Sequence, residues 1–213
     1  EASKTGAGRV IQNLLAIPKD DKVRGYIKIQ DLKDAEFLTN HYLIFATQKG
    51  IVKKTSLDAY KRPRQGGIVA LSINEGDQLL DVALTNGATQ IFIASRSGNA
   101  IRFDEAKVRP MGRTATGVRG IMLKGDGDKA VGMISLDPSD EETAILVVSE
   151  KGNGKRTKFS EYRLTNRGGK GVKTIEVTEK TGGLVAIKAV NPEDHLMITT
   201  KNGVMIRMPL DEI

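Results

Sequence analysis

Apolar residues along this chain gather in runs of four to eight, mostly Val, Ile, Leu and Ala, and few runs continue at the i, i+3, i+4, i+7 spacing of a helix. They predict short strands, with helical turns only at 57–60 and 160–162. The runs recur in a fixed frame: an apolar strand, a glycine turn, a short basic strand, then an arginine-bearing loop that ends in glycine. Tyr42-Leu-Ile-Phe-Ala-Thr leads through Gln48-Lys-Gly50 to Ile51-Val-Lys-Lys-Thr and the loop from Tyr60 to Gly67. Gln90-Ile-Phe-Ile-Ala-Ser leads through Gly98 to Asn99-Ala-Ile-Arg-Phe and the loop 108–117, and Ala144-Ile-Leu-Val-Val-Ser through Gly152 to Asn153-Gly-Lys-Arg-Thr and the loop 162–171. A fourth copy opens with His195-Leu-Met-Ile-Thr-Thr and continues past Gly203 to Val204-Met-Ile-Arg-Met. The turn glycines Gly50, Gly98, Gly152 and Gly203 lie 48, 54 and 51 residues apart, and four residues after each comes Lys54, Arg102, Arg156 or Arg207.

Two further apolar segments follow each loop, at 68–73 and 79–84 and again at 118–123 and 130–136. Four short strands in a unit of about fifty residues is the propeller signature. The expected class is therefore all-β, an array of four-stranded blades forming one domain over 1–213, with a partial repeat 1–41, repeats 42–89, 90–143 and 144–194, and a partial repeat 195–213. Within the first partial repeat, Gly6-Ala-Gly8 with the following Arg9-Val-Ile-Gln-Asn-Leu-Leu reads as a loop end and third strand, and Tyr26-Ile-Lys-Ile as a fourth. Entry and exit in mid-repeat, without an initiator Met, predict a piece of a longer protein.

Composition narrows the chemistry. The 213 residues include no cysteine, which excludes disulfides and thiolate metal sites and suits a reducing cytoplasm. No apolar run approaches the roughly 18–20 residues of a membrane span. The net charge is +7, and its distribution is uneven: six bases against one acid from Lys49 to Arg64, eight against two from Glu150 to Lys173, and two against six from Ile121 to Thr143. A basic belt that returns in each repeat suits a polyanion running past successive blades, and duplex DNA held by its phosphates is the expected partner, with little sequence preference. Only 4% of residues are aromatic and none is Trp, which disfavours single-strand and RNA stacking sites.

The candidate DNA contacts are Lys53, Lys54, Lys61, Arg62, Arg64, Arg102, Arg109, Arg113, Arg119, Lys155, Arg156, Lys158, Arg163, Arg167, Lys170 and Arg207, with loop glycines Gly66, Gly67, Gly117, Gly168, Gly169 and Gly171. Glycines let the backbone approach a strand closely, Arg167 supplies a planar fork and Lys170 a point charge. Arg62 and Arg64, then Arg109 and Arg113, are read as returns of one station. The bases of the second strands also have a role without a ligand, since charge on an edge strand guards against mispairing.

Other motifs fail. Neither Gly152-Asn-Gly-Lys155 nor Gly168-Gly-Lys-Gly171 completes a nucleotide loop, since the first has Ser149 for the leading glycine and the second Gly171 for the magnesium-binding hydroxyl. Gly125-Asp-Gly-Asp128 lacks the later ligands of a calcium loop, and His41 and His195 are too few and too far apart for metal catalysis. No metal, cofactor or catalytic centre is expected in this chain.

Ile51-Val-Lys-Lys-Thr, the stretch Val108-Arg-Pro-Met-Gly-Arg-Thr-Ala-Thr-Gly-Val-Arg-Gly-Ile, Gly154-Lys-Arg-Thr and Gly169-Lys-Gly-Val resemble the C-terminal domain of the A subunit of bacterial DNA gyrase, over essentially the whole chain. The resemblance implies a six-bladed β-pinwheel, of which about four blades are present, whose blades exchange strands and whose basic rim wraps duplex DNA for negative supercoiling. It also implies two partners, the B subunit of gyrase together with the remainder of its A subunit. ATP and Mg are then used elsewhere in a type II topoisomerase, and the protein is cytoplasmic, bacterial and chromosome-associated. The family's glycine-rich box is Gln-Arg-Arg-Gly-Gly-Lys-Gly in the first blade. Thr165 to Gly171 matches it at five of seven positions, departs at Thr165 and Asn166, and sits in a late repeat, so the first-blade box is expected to be missing here. The alternatives are the equivalent domain of topoisomerase IV, a propeller scaffold for an acidic protein and, least favoured, a propeller enzyme.

Overall fold

The computed structural model describes residues 21–29, 32–64, 66–140 and 142–210. The expected loop end at 6–8 and strand at 9–15 lie outside them. Thirteen strands are described: β1 (Tyr42–Thr47), β2 (Ile51–Ser56), β3 (Leu79–Thr85), β4 (Gln90–Ser95), β5 (Asn99–Asp104), β6 (Val118–Arg119), β7 (Ala130–Leu136), β8 (Ala144–Ser149), β9 (Gly154–Lys158), β10 (Val172–Lys173), β11 (Leu184–Val190), β12 (His195–Thr199) and β13 (Met205–Pro209). The sheet orders are β3-β1-β2-β6, β10-β5-β4-β7, β11-β8-β9 and β12-β13, and all the ladders are antiparallel.

The first strand of each of the three full repeats has a continuous apolar middle because both of its faces are covered. Every residue of β4 is buried, as are the last five of β1. The cores lie between consecutive sheets. Ile44 and Val52 of the first sheet pack with Ile91, Ile101 and Phe103 of the second, and Phe92 and Ala100 of the second with Ile145, Val147 and Phe159 around the third. Ala144, Leu146 and Val190 meet Leu210 and Leu196 at the next joint.

Four-stranded blades form as expected, but their composition differs from four consecutive strands per unit. The segments at 118–123 and 172–177 leave their own repeats: β6 pairs with β2 and β10 with β5, so the second and third repeats each give one strand to the sheet before them. The donated strands are only two residues long, because the chain turns at once. Gly120 N and Ile121 N both donate to Gly50 O, and Thr174 N and Ile175 N both donate to Gly98 O. The expected strands at 68–73 and at Tyr26–Ile29 form no ladder among the described residues. Ile27, Ile29, Ala70 and Leu71 instead pack on a cluster of Leu38, Leu43, Phe45 and Leu57.

Helical turns stand at Leu57–Tyr60 and Phe159–Glu161, close to the expected positions, and a third at Glu105–Lys107 completes the series. One short helix lies outside the expected pattern, α1 at Ala35–Asn40. Asp34 caps it by accepting from Phe37 N at 3.0 Å, and Leu38 anchors it in the core.

Candidate nucleic-acid interface

The arginine-bearing loops are positioned by the preceding blade. Met111 N donates to Lys54 O at 2.8 Å, and one repeat later Thr165 N donates to Arg102 O at 2.9 Å. Isolated parallel bridges join Lys54 to Pro110 and Arg102 to Leu164. At the loop ends Gly117 has φ +110° and Gly171 φ +71°, a left-handed conformation that side chains disfavour, and each lies against the backbone of the receiving strand, at Val52 O and Ala100 O. These matches set the register of the second and third rim loops, in which Arg109 and Arg163 share one station and are both exposed; Lys61 stands 48 residues before Arg109 and is exposed too.

Arg113 and Arg167 share a second station with a common bond. Arg113 Nη1 donates to Val69 O at 3.4 Å, and Arg167 Nη1 donates to Arg119 O at 3.1 Å. Arg167 also donates from Nε to Lys107 O at 3.0 Å, so its fork is used to fasten the glycine-rich loop to the previous repeat. Gly168 N donates to Gly120 O and Gly169 O accepts from Met122 N at the same seam.

Three candidate contacts turn inward, a correction to their placement on the rim. Lys53 is 1% exposed, and its ammonium donates to Ala70 O at 2.7 Å and to Arg113 O. Burial, with Arg113 nearby, pulls its pKa down to about 8. Lys54, 4% exposed, forms an ion pair with Glu105 at 2.6 Å and sits 4.1 Å from the centre of the Tyr42 ring. The Arg102 guanidinium lies 4.0 Å above the Phe159 ring, with Nε donating to Gln90 Oε1 and Nη1 to Phe159 O and Tyr162 O. Burial lowers its hold on its proton, and Asp104 works against that. Both faces of β2 are covered, so the ammonium groups of Lys53 and Lys54 point into the fold on opposite sides of the strand.

Lys61, Arg62, Arg64, Arg109, Arg119, Lys155, Lys158, Arg163, Lys170 and Arg207 are exposed; Arg113, Arg156 and Arg167 are half-buried. Gly66 and Gly67 are exposed, and Gly168, Gly169 and Gly171 half-buried beside the seam. Two exposed bases beside the rim loops, Lys107 and Lys173, stand outside the candidate set. Lys173 holds the station of Arg119 one repeat on, so strict use of the 54-residue interval finds it. Among the described residues no three His, Asp or Glu side chains are grouped to hold a metal, and no helix is long and apolar enough to cross a membrane.

Strand-exchanged blades and a basic rim in register define a propeller-type repeat module. The model of the family described as "DNA gyrase C-terminal domain, beta-propeller" matches residues 41–86, 89–137, 143–191 and 194–213, and the chain belongs to that family. It is 43% identical over its full length to the DNA gyrase A subunit of Staphylococcus epidermidis (strain ATCC 12228 / FDA PCI 1200) and 40% identical to that of Staphylococcus aureus (strain NCTC 8325 / PS 47). It spans 23% of the length of each of those proteins. Among solved structures, a C-terminal domain of DNA topoisomerase IV superposes with a TM-score of 0.86 at 28% identity, over 97% of this chain and 62% of that one. A DNA gyrase A C-terminal domain superposes at 0.79 and 24% identity, over 94% of this chain and 64% of the other, a likeness of fold.

Proposed function

We propose that this chain binds and bends duplex DNA around its basic outer rim as the C-terminal module of a gyrase, within its A subunit, and so supports ATP-dependent negative supercoiling by the whole enzyme. The observation that carries the proposal is the exposed basic rim: Arg109 and Arg163 are delivered by the same docked loop on successive blades, and exposed Lys61 opens the corresponding loop of the first repeat. Cations in that order meet a phosphate backbone as it passes, and they read no bases. On this proposal the B subunit, together with the remainder of the A subunit, carries out cleavage and ATP hydrolysis with its Mg. The module itself works in the cytoplasm on the chromosome.

The test is a titration onto a linear duplex of about 150 base pairs, near one persistence length, labelled at both ends, with salt varied. Binding that draws the ends together and weakens steeply with salt is expected. Binding with unmoved ends removes the bending, and no binding at low salt removes the DNA role in favour of a protein scaffold.

A second reading is the equivalent module of a topoisomerase IV, favoured by the 0.86 superposition. Ligating nicked plasmid in the presence of the chain separates the two. Trapped superhelical writhe is expected of the gyrase module, and binding with no trapped writhe of the other.

A further inference from the structure

We propose that the cleft between the first two rim loops is a preformed clamp for successive phosphates of one strand, and that buried Lys53 holds its two walls together. This rests on the duplex-binding function. The cleft has a volume of about 790 Å³ and is lined by Lys61, Arg62 and Arg64 on one wall and by Arg113 and Thr114 on the other. Its one carboxylate, Asp58, is engaged by Lys61 at 2.9 Å.

Two features coincide at this joint and at neither later loop. Lys61, Arg62 and Arg64 fall within four residues of the first loop, whereas the second spreads Arg109 and Arg113 over 108–117 and the third Arg163, Arg167 and Lys170 over 162–171, so charge is concentrated here. The position of Lys53 is filled by buried Ile101 and then by exposed Lys155. Among the described residues it is at the first joint that a buried ammonium bridges the two, donating to Ala70 O just past the first loop and to Arg113 O in the second.

Three carbonyls beside the cleft are already occupied. Ala70 O accepts from Lys53 and from the Tyr60 hydroxyl at 3.0 Å, Arg113 O from Lys53, and Val69 O from Arg113 Nη1. Arg62 and Arg64 have no carboxylate partner among the described residues. The ligand class that fits is a run of linked phosphates, recognised by charge and spacing.

The probe is inorganic pyrophosphate, followed through the arginine Nε–H signals of the 213-residue chain. Arg62, Arg64 and Arg113 are expected to shift together with one saturation point, at least about tenfold below that of Arg109 or Arg207. Lys53→Met is expected to separate Arg113 from the other two, a response that a merely structural loss would not produce. Should that variant unfold, Tyr60→Phe, which removes the second donor to Ala70 O, is expected to give the same separation in weaker form. On duplex DNA, Arg62→Ala with Arg64→Ala is expected to cost about tenfold or more in affinity at fixed salt, against less than about threefold for Lys155→Ala with Lys158→Ala. Equal losses, or cleft arginines that shift no earlier than Arg109, overturn the clamp. Arg113 still moving with its neighbours in Lys53→Met and in Tyr60→Phe overturns the role of Lys53. A silent cleft with duplex binding intact sinks the clamp alone, whereas a responsive cleft without duplex binding sinks the proposed function alone.

Discussion

The Lys54 ammonium lies 2.6 Å from the Glu105 carboxylate across the joint between the first and second sheets, with both side chains buried. Glu105 also accepts from Thr85 Oγ1 at 3.1 Å and from the amide and hydroxyl of Thr89, so its charge is held by a full set of donors. One repeat later the same joint is made by Arg102 on the Phe159 ring, with no ion pair.

A buried pair is costly to break from one side. Lys54→Met leaves Glu105 uncompensated and is expected to destabilise the chain by about 3–5 kcal/mol, while Lys54→Met with Glu105→Leu recovers most of that loss. Chemical denaturation of the two single variants and the double variant provides the comparison. A double variant no better than Lys54→Met would mean that the Thr85 and Thr89 hydroxyls suffer more from losing the carboxylate than the joint gains.

The second joint depends on shape. Arg102→Lys keeps the charge but gives up the stacked plane and the Nε bond to Gln90, and is expected to cost about 1–3 kcal/mol. Thermal unfolding reads this, and an unchanged midpoint would show that the ammonium serves as well.

The donated strands depend on two glycines. A Cβ on Gly171 would overlap Ala100 O, and one on Gly117 would come within 2.5 Å of Val52 O, whereas Gly152, with φ +79°, has nothing within 4 Å. Gly171→Ala is expected to release the end of the loop and abolish hydrogen-exchange protection of the Thr174 amide, which donates to Gly98 O at 2.8 Å. Gly152→Ala carries only backbone strain, about 1 kcal/mol, and leaves that amide protected.

The pH dependence of Lys53 runs opposite to that of most paired lysines. Its folded pKa of about 8 lies below the ordinary lysine value of 10.5, so above pH 8 the unfolded chain binds the extra proton and stability gains with rising pH. The cost of burying the charge is fully present below pH 8. The stability difference between the parent chain and Lys53→Met is expected to shift in the parent's favour from pH 8 towards 10.5. A flat difference over that window would place the ammonium in contact with water.

Within the rim, reversing Arg167 and Lys170 to Glu is expected to weaken duplex binding, but for two separable reasons. Lys170 is exposed and acts on the ligand, whereas Arg167 fastens its loop to Lys107 O and Arg119 O. Arg167→Glu should therefore lower the unfolding midpoint as well, and Lys170→Glu should not. Equal effects of the two on stability would remove that distinction.

The repeat was legible from the sequence because period and strand length are local properties. Glycine at 50, 98, 152 and 203 closes a turn wherever the chain must reverse between two apolar runs, and β1, β4 and β7 fall where the hydrophobic runs place them. The basic loops and their concentration of charge were legible for the same reason. Partnership between repeats was not. That 118–119 pairs with Ile51–Val52 and 172–173 with Asn99–Ala100 depends on a long-range approach that no local pattern encodes. Which cations of the basic strands turn inward is likewise chosen by what the next blade brings: a carboxylate at Glu105 draws Lys54 inward and an aromatic ring at Phe159 draws Arg102, while the exposed strand β9 leaves Lys155 and Lys158 in solvent. The sequence alone therefore determined the array, its period and its sign of charge. Tertiary structure decided which cations remain free to meet a ligand, because a cation's partner is set by the fold around it and not by its neighbours along the chain.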